Sequence, residues 1–111
     1  MFTLNQRIAD AATSDTLYMP VPLPCRLVKA VFVSETAATV ANETITLGDG
    51  TTTAGTITVA YSGAAVGDCD TWTWAANVEL DEDTPLNIVI AGTSTSTVGT
   101  LVLMFSEYHV G

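Results

Sequence analysis

Residues 43–61 read ETITLGDGTTTAGTITVAY, and this stretch decides the fold. Apolar side chains alternate with threonines on both sides of a glycine-rich turn, so that Ile45 and Leu47, for example, share one face. Alternation with a period of two is typical of a half-buried strand, and Gly48-Asp49-Gly50 is suited to a longer hairpin loop. The stretch therefore predicts an antiparallel β-hairpin.

Similar runs recur along the chain at intervals of roughly 8–12 residues, with turn residues between them. They are rich in threonine and valine, which pack well on a pleated sheet and lose rotamer freedom in a helix. We predict an all-β fold, a two-sheet antiparallel sandwich of about eight short strands over residues 16–111, preceded by an N-terminal arm over residues 1–15. The proline-rich segment at 20–24 should lie at a sheet edge or a corner. Strands are expected near residues 16–21, 26–34, 43–47, 55–61, 71–74, 77–80, 85–91 and 98–109.

The chain has 111 residues and a mass of 11.6 kDa, which suits a single domain. Its 12 acidic residues against three basic ones give a formal net charge of −9. Nucleic acids and anionic membranes attract Lys and Arg, so neither is expected as a partner. No apolar run reaches the length that spans a bilayer, and the N-terminus shows no signal peptide, so we expect synthesis in the cytoplasm.

Few residues in this sequence could carry chemistry. His109 is the single histidine, and the chain has no Gly-x-Ser-x-Gly elbow and no phosphate-binding loop, so we expect neither an enzyme nor a cofactor. Asp68 with Asp70, and the acidic residues 81–83, could bind calcium, but turn formation and solubility explain them more simply. One disulfide between Cys25 and Cys69 is conceivable, but in a reducing compartment both are expected to stay unpaired.

Two predicted strands are apolar on both faces, at residues 27–33 and 101–105. A sandwich strand usually turns one face to the core and the other to water, so a strand that is apolar on both sides needs a second cover. The N-terminal arm or another copy of the chain could provide this cover. The simpler alternative is that valine and alanine tolerate exposure.

Trp72 and Trp74 alternate with threonine and are expected on the same side of one strand. Large aromatic side chains most often fill a core or an interface. Two parallel indoles could instead form a platform on which a sugar stacks. This makes a carbohydrate-binding sandwich the alternative function.

The chain resembles the small jelly-roll cement, or decoration, proteins of tailed bacteriophage capsids. The resemblance rests on the run at 38–52, the strand at 55–60, the loop at 62–68, the acidic, proline-bearing turn at 81–85, and a Thr/Ser/Gly-rich linker before the last apolar strand. It implies two facing antiparallel sheets with jelly-roll connections and assembly as a homotrimer. It also implies attachment to the major capsid protein on the outer surface of the virion, where such proteins clamp neighbouring capsomers. It supplies no catalytic residue.

From these observations we expect a structural virion protein that binds the outer surface of a phage capsid. The doubly apolar strands should form the subunit interface, and the N-terminal arm should contact the capsid. The expected interface residues are Leu27, Val31, Val33, Leu101, Leu103 and Phe105, and the expected capsid contacts are Phe2, Leu4 and Arg7.

Overall fold

The computed structural model describes residues 1–8, 15–35, 42–59, 67–91 and 98–107. The predicted strand ends at 60–61 and 108–109, and His109, lie outside the described residues. The described part of the chain is all-β, without a helix. Its strands are β1 (Phe2–Ile8), β2 (Asp15–Met19), β3 (Cys25–Ser34), β4 (Glu43–Gly48), β5 (Thr53–Val59), β6 (Cys69–Thr71), β7 (Thr73–Trp74), β8 (Glu79–Leu80), β9 (Leu86–Ala91) and β10 (Gly99–Glu107).

The strands form two antiparallel sheets, and their order confirms the predicted jelly-roll sandwich. Sheet A has the order β1-β10-β3-β6, with the short β8 pairing with β3, and sheet B has the order β2-β9-β4-β5-β7. The first strand pairs with the last, β2 pairs with β9, β3 pairs with β6 and β8, and β4 pairs with β5. A long hairpin rolled up in this way is the jelly-roll connectivity.

The hairpin predicted over residues 43–61 is confirmed as β4 and β5. Ile45 lies opposite Ile57 in the register, and both side chains are fully buried. Gly50 in the connecting turn has a φ of 94°, a backbone conformation that glycine adopts without steric cost. The alternation seen in the sequence therefore separates a core face from a solvent face on both strands.

The inner faces of the two sheets share one core. Each large side chain buried there stabilises the fold by about 1.5–3 kcal/mol relative to exposure. The largest fully buried side chains are Phe32, Phe105, Ile8, Leu27, Ile45, Leu47, Ile57, Leu80, Leu86, Ile88, Leu101 and Leu103.

The prediction of an N-terminal arm is wrong for residues 2–8, because these residues form β1, the edge strand of sheet A. This strand pairs with β10 along its whole length, from Phe2 opposite Phe105 to Ile8 opposite Gly99. The rings of Phe2 and Phe105 stack with centroids 5.1 Å apart. The sequence held the signal, because apolar residues at 2, 4 and 8 share one face of a strand.

The single strand expected at 71–74 is also wrong, because the chain changes sheets there. Strand β6 ends at Thr71 in sheet A, whereas β7 begins at Thr73 and pairs with β5 in sheet B. Trp72 lies at the crossing. Eight strands were expected and ten are described, because β1 was missed and this segment is divided.

The proline-rich segment at 20–24 lies where it was predicted, at a corner. It carries the chain from β2 in sheet B to β3 in sheet A, with Val21 buried and Pro20 and Pro22 exposed. The described residues include no helix that is long and apolar enough to cross a membrane.

Candidate functional site: the outer faces of the two sheets

The outer face of sheet A carries an apolar strip, defined here as Val31, Val33, Val102 and Met104. Val31 lies opposite Val102 across β3 and β10, and all four side chains are partly buried. Polar neighbours border the strip, with Thr3 and Asn5 of β1 on one side and Thr71 of β6 on the other. The face is therefore apolar at its centre and polar at its rim, as protein interfaces are.

A β-bulge extends this apolar surface at one end. The register between β3 and β10 shifts between Met104 and Phe105, so that Val28 and Lys29 are both exposed. The side chain of Val28 is 37% exposed. The bulge thus adds an apolar and a cationic side chain at the end of the strip.

The prediction of the interface is wrong for four of its six residues, namely Leu27, Leu101, Leu103 and Phe105. All four are at most 2% exposed, because they face the chain's own core. On strands that are apolar on both faces, alternation divides the residues into two sets without telling which set points inward. Val31 and Val33 lie on the outer face and stay predicted interface residues. Val102 and Met104, which belong with them, were missed.

The three basic side chains of the protein all lie on or beside the outer face of sheet A. Arg7 and Lys29 are exposed, and Arg26 lies opposite Glu79 of β8. Arg7 Nη1 donates a hydrogen bond to Glu35 Oε1 at 2.7 Å, which holds the pKa of the Glu35 carboxyl below its usual range. This face therefore carries the basic side chains of a strongly acidic molecule, together with the carboxylates of Glu35 and Glu79.

The three expected capsid contacts differ in their orientation. Phe2 and Leu4 lie on the inner side of β1 and pack against the core, which corrects the expectation that they project from a free arm. Arg7 lies on the outer side of β1, beside Thr100 of β10, and is exposed. Of the three, only Arg7 stays available for a contact with another protein.

The two indoles do not form the platform that the sequence pattern suggested. A Cβ on Gly55 would stand 2.4 Å from Trp72 Cε3, which shows that the Trp72 ring packs directly over the backbone of β5. Trp74, by contrast, is 57% exposed. The crossing between the sheets breaks the alternation that was expected to place both rings on one side of a single strand.

The outer face of sheet B is rich in threonine, and its described side chains carry no charge. Thr46 lies opposite Val89 on one side and Thr56 on the other. A depression of about 110 Å³ opens on this face, between its strands and the turn that joins β4 to β5. Its lining residues are Thr46, Gly48, Gly50, Thr51, Thr52, Thr53, Asn87 and Val89.

The turn beside this depression is held by Asp49. Its carboxylate accepts the backbone N–H groups of Thr51 at 2.8 Å and of Thr52 at 2.7 Å. These hydrogen bonds, the one from Thr52 above all, lower the pKa of Asp49. The turn thereby forms one wall of the depression.

The acidic residues singled out in the sequence are dispersed over loops and edges. Burial, and then the neighbouring Asp68, raise the pKa of Asp70. In the acidic turn, Asp81 accepts the N–H of Asp83 at 2.8 Å, a local turn contact. Within the described ranges, no three His, Cys, Asp or Glu side chains come together as a metal site.

Sequence reasoning missed the burial of Glu43, which opens β4 and is 0% exposed. The alternation that points Ile45 and Leu47 inward also points Glu43 inward, so the sequence contained the signal.

The two cysteines are free, as predicted. Both belong to sheet A, but Cys69 pairs with Val33 at the opposite end of β3 from Cys25. Eight residues of strand separate these positions by roughly 26 Å, far beyond the reach of a disulfide. Burial, and then the charge of Glu107, raise the pKa of the Cys25 thiol to about 11.

We expect a thiol-alkylating reagent at about pH 8 to label Cys69 in the native protein and to leave Cys25 unlabelled, since the thiolate is the reacting form. Mass spectrometry after labelling counts the modified thiols, and unfolding in urea should expose the second. A Cys69→Ser variant is the control, and its native form should stay unlabelled. Rapid labelling of Cys25 in the folded protein would contradict its burial in the core.

No known protein-family model matches this chain, and no curated protein or solved structure matches it.

Proposed function

We propose that this protein is a structural component of a phage virion, a cement protein that binds the outer capsid surface and stabilises contacts between capsomers. The single observation that supports the proposal most is the outer face of sheet A, with its apolar strip and its three basic side chains. The jelly-roll fold and the resemblance in sequence agree with this role. In this proposal the protein is not an enzyme.

The apolar strip is proposed as the contact between subunits of a homotrimer. The face of β1, β10, β3 and the short β6 covers roughly 450 Å². Two buried faces of this size give an interface at the lower end of specific contacts. In a three-fold ring the contact is heterologous, so the strip of one subunit meets a different surface of the next.

Modest contacts suffice for a protein that covers a symmetric shell. When several subunits are linked in one trimer, the second and third attachments become intramolecular, and overall affinity rises without new contacts. A cement protein therefore needs many weak, well-positioned contacts rather than reactive groups. Lys29, which forms no ion pair with any residue that the structure describes, is available for such a contact.

We expect Val102→Asp to convert a trimer into a folded monomer, because it places a charge at the centre of the apolar strip without touching the core. Light scattering should give a mass of three times 11.6 kDa for the original protein and a mass of 11.6 kDa for the variant. Thr58→Asp, which adds the same charge to the outer face of sheet B, is the matched control and should stay trimeric. An original protein that is monomeric at all concentrations would contradict the trimer.

Attachment to a shell is tested on particles of the virus that encodes the chain. The protein should be present in purified virions, and Arg7→Glu should lower its occupancy, measured by electron microscopy, because Arg7 is exposed on β1. A deletion of residues 1–15 would be misleading, since it removes β1 and uncovers Phe105. Virions that lack the protein altogether would overturn the proposed function.

A further inference from the structure

We propose that the depression on the outer face of sheet B binds one neutral sugar ring of a glycan. The depression lies on the sheet opposite the apolar strip, so this binding activity is independent of attachment to a shell. It also differs in position from the tryptophan platform that the sequence suggested.

The polar groups of the depression match the hydroxyls of a sugar. Asn87 supplies an amide that both donates and accepts hydrogen bonds, and Thr46 supplies a hydroxyl that does the same. None of the described residues forms a hydrogen bond with the Asn87 side-chain amide. These groups are therefore available to a ligand, and a ligand that satisfies them avoids the cost of burying unpaired polar atoms.

An exposed aromatic ring stands beside these polar groups. Tyr18 lies directly opposite Asn87 in the pairing of β2 with β9, on the same outer face, and is 65% exposed. Side chains opposite each other in an antiparallel pair have Cβ atoms about 5 Å apart. The tyrosine ring can thus cover the apolar C–H face of a sugar whose hydroxyls reach Asn87 and Thr46.

The charge and size of the depression restrict the ligand to a neutral ring. The described side chains on this face are uncharged. Asp49, whose neighbours Gly48 and Gly50 line the depression, already accepts two N–H groups of the turn with its carboxylate. With a net charge of −9, the protein should repel an anionic sugar. A volume of about 110 Å³ accommodates part of a single ring, so we expect dissociation constants of about 1 mM.

Nuclear magnetic resonance on the purified protein tests this proposal. The probes are D-glucose, D-galactose, D-mannose and N-acetyl-D-glucosamine, with N-acetylneuraminic acid as the anionic comparison. At least one neutral sugar should give a saturation-transfer signal when the protein is irradiated. The same sugar should shift the backbone amide signals of Thr46, Asn87 and the turn at 50–53. The anionic sugar should produce neither effect. If none of the neutral sugars binds, or if the anionic one binds equally well, the proposal is overturned.

Point variants identify the site. Asn87→Ala and Tyr18→Ala should each weaken binding by about tenfold or more, and Tyr18→Ala keeps the test valid if Asn87→Ala fails to fold. Thr58→Ala, on the same face outside the depression, is the matched control and should bind normally. If Trp74→Ala loses sugar binding while Tyr18→Ala binds normally, the site lies at Trp74 and the proposal for the depression is overturned. Val102→Asp should still bind the sugar, which separates this activity from the proposed assembly.

Discussion

Replacing Phe32 by alanine is expected to lower the free energy of unfolding by about 3–5 kcal/mol. Phe32 is 0% exposed near the C-terminal end of β3, where Leu101 of β10 and Asp70 of β6 lie opposite it. Its removal leaves a cavity that rigid neighbouring strands cannot close. Urea denaturation measures the loss, at a fixed protein concentration, because association of the proposed subunits would contribute to apparent stability.

Val31→Ala is the matched control for this prediction. Val31 precedes Phe32 on the same strand but points to the outer face, where it is only partly buried. The expected loss, measured in the Val102→Asp background to remove the proposed contact between subunits, is below about 1 kcal/mol. Equal losses for the two substitutions would contradict the assignment of inner and outer faces on β3.

Gly99→Ala is expected to destabilise the fold by about 1–3 kcal/mol through overpacking. A Cβ at this position would stand 2.4 Å from Phe32 Cζ and 2.4 Å from the carbonyl oxygen of Val33. Gly99 is the first residue of β10, so relief of this contact requires the strand to move away from β3. The free energy of unfolding in urea again provides the measurement.

A double-mutant cycle with Phe32→Leu separates the two contacts that Gly99→Ala creates. The smaller leucine relieves the contact with the ring but not the one with the Val33 carbonyl, so the double variant should lose less than the sum of the single variants. Strict additivity would show that the contact with the backbone alone determines the cost. A Gly99→Ala protein as stable as the original would show that β10 accommodates the methyl group.

The tertiary structure changes how the candidate interface is understood. Leu101 and Val102 are adjacent and both apolar, so in the sequence they look equally suited to an interface. Only the pairing of β10 with β1 and β3, and the packing of sheet A on sheet B, shows that Leu101 is core and Val102 is surface. Likewise, no sequence signal joins Tyr18 to Asn87, because the pairing of β2 with β9 brings together residues that are far apart in the chain.

The sequence by itself determined the all-β class, the hairpin at 43–61 and the corner at 20–24. These features depend on local chemistry, namely period-two alternation, glycine turns and proline. Only the tertiary structure decided that residues 2–8 pair with β10 at the edge of sheet A, that the chain changes sheets at Trp72, and which set of side chains on β3 and β10 faces outward. Those features depend on pairing between distant segments, because a strand that is apolar on both sides acquires an inner face only when a second sheet packs against it.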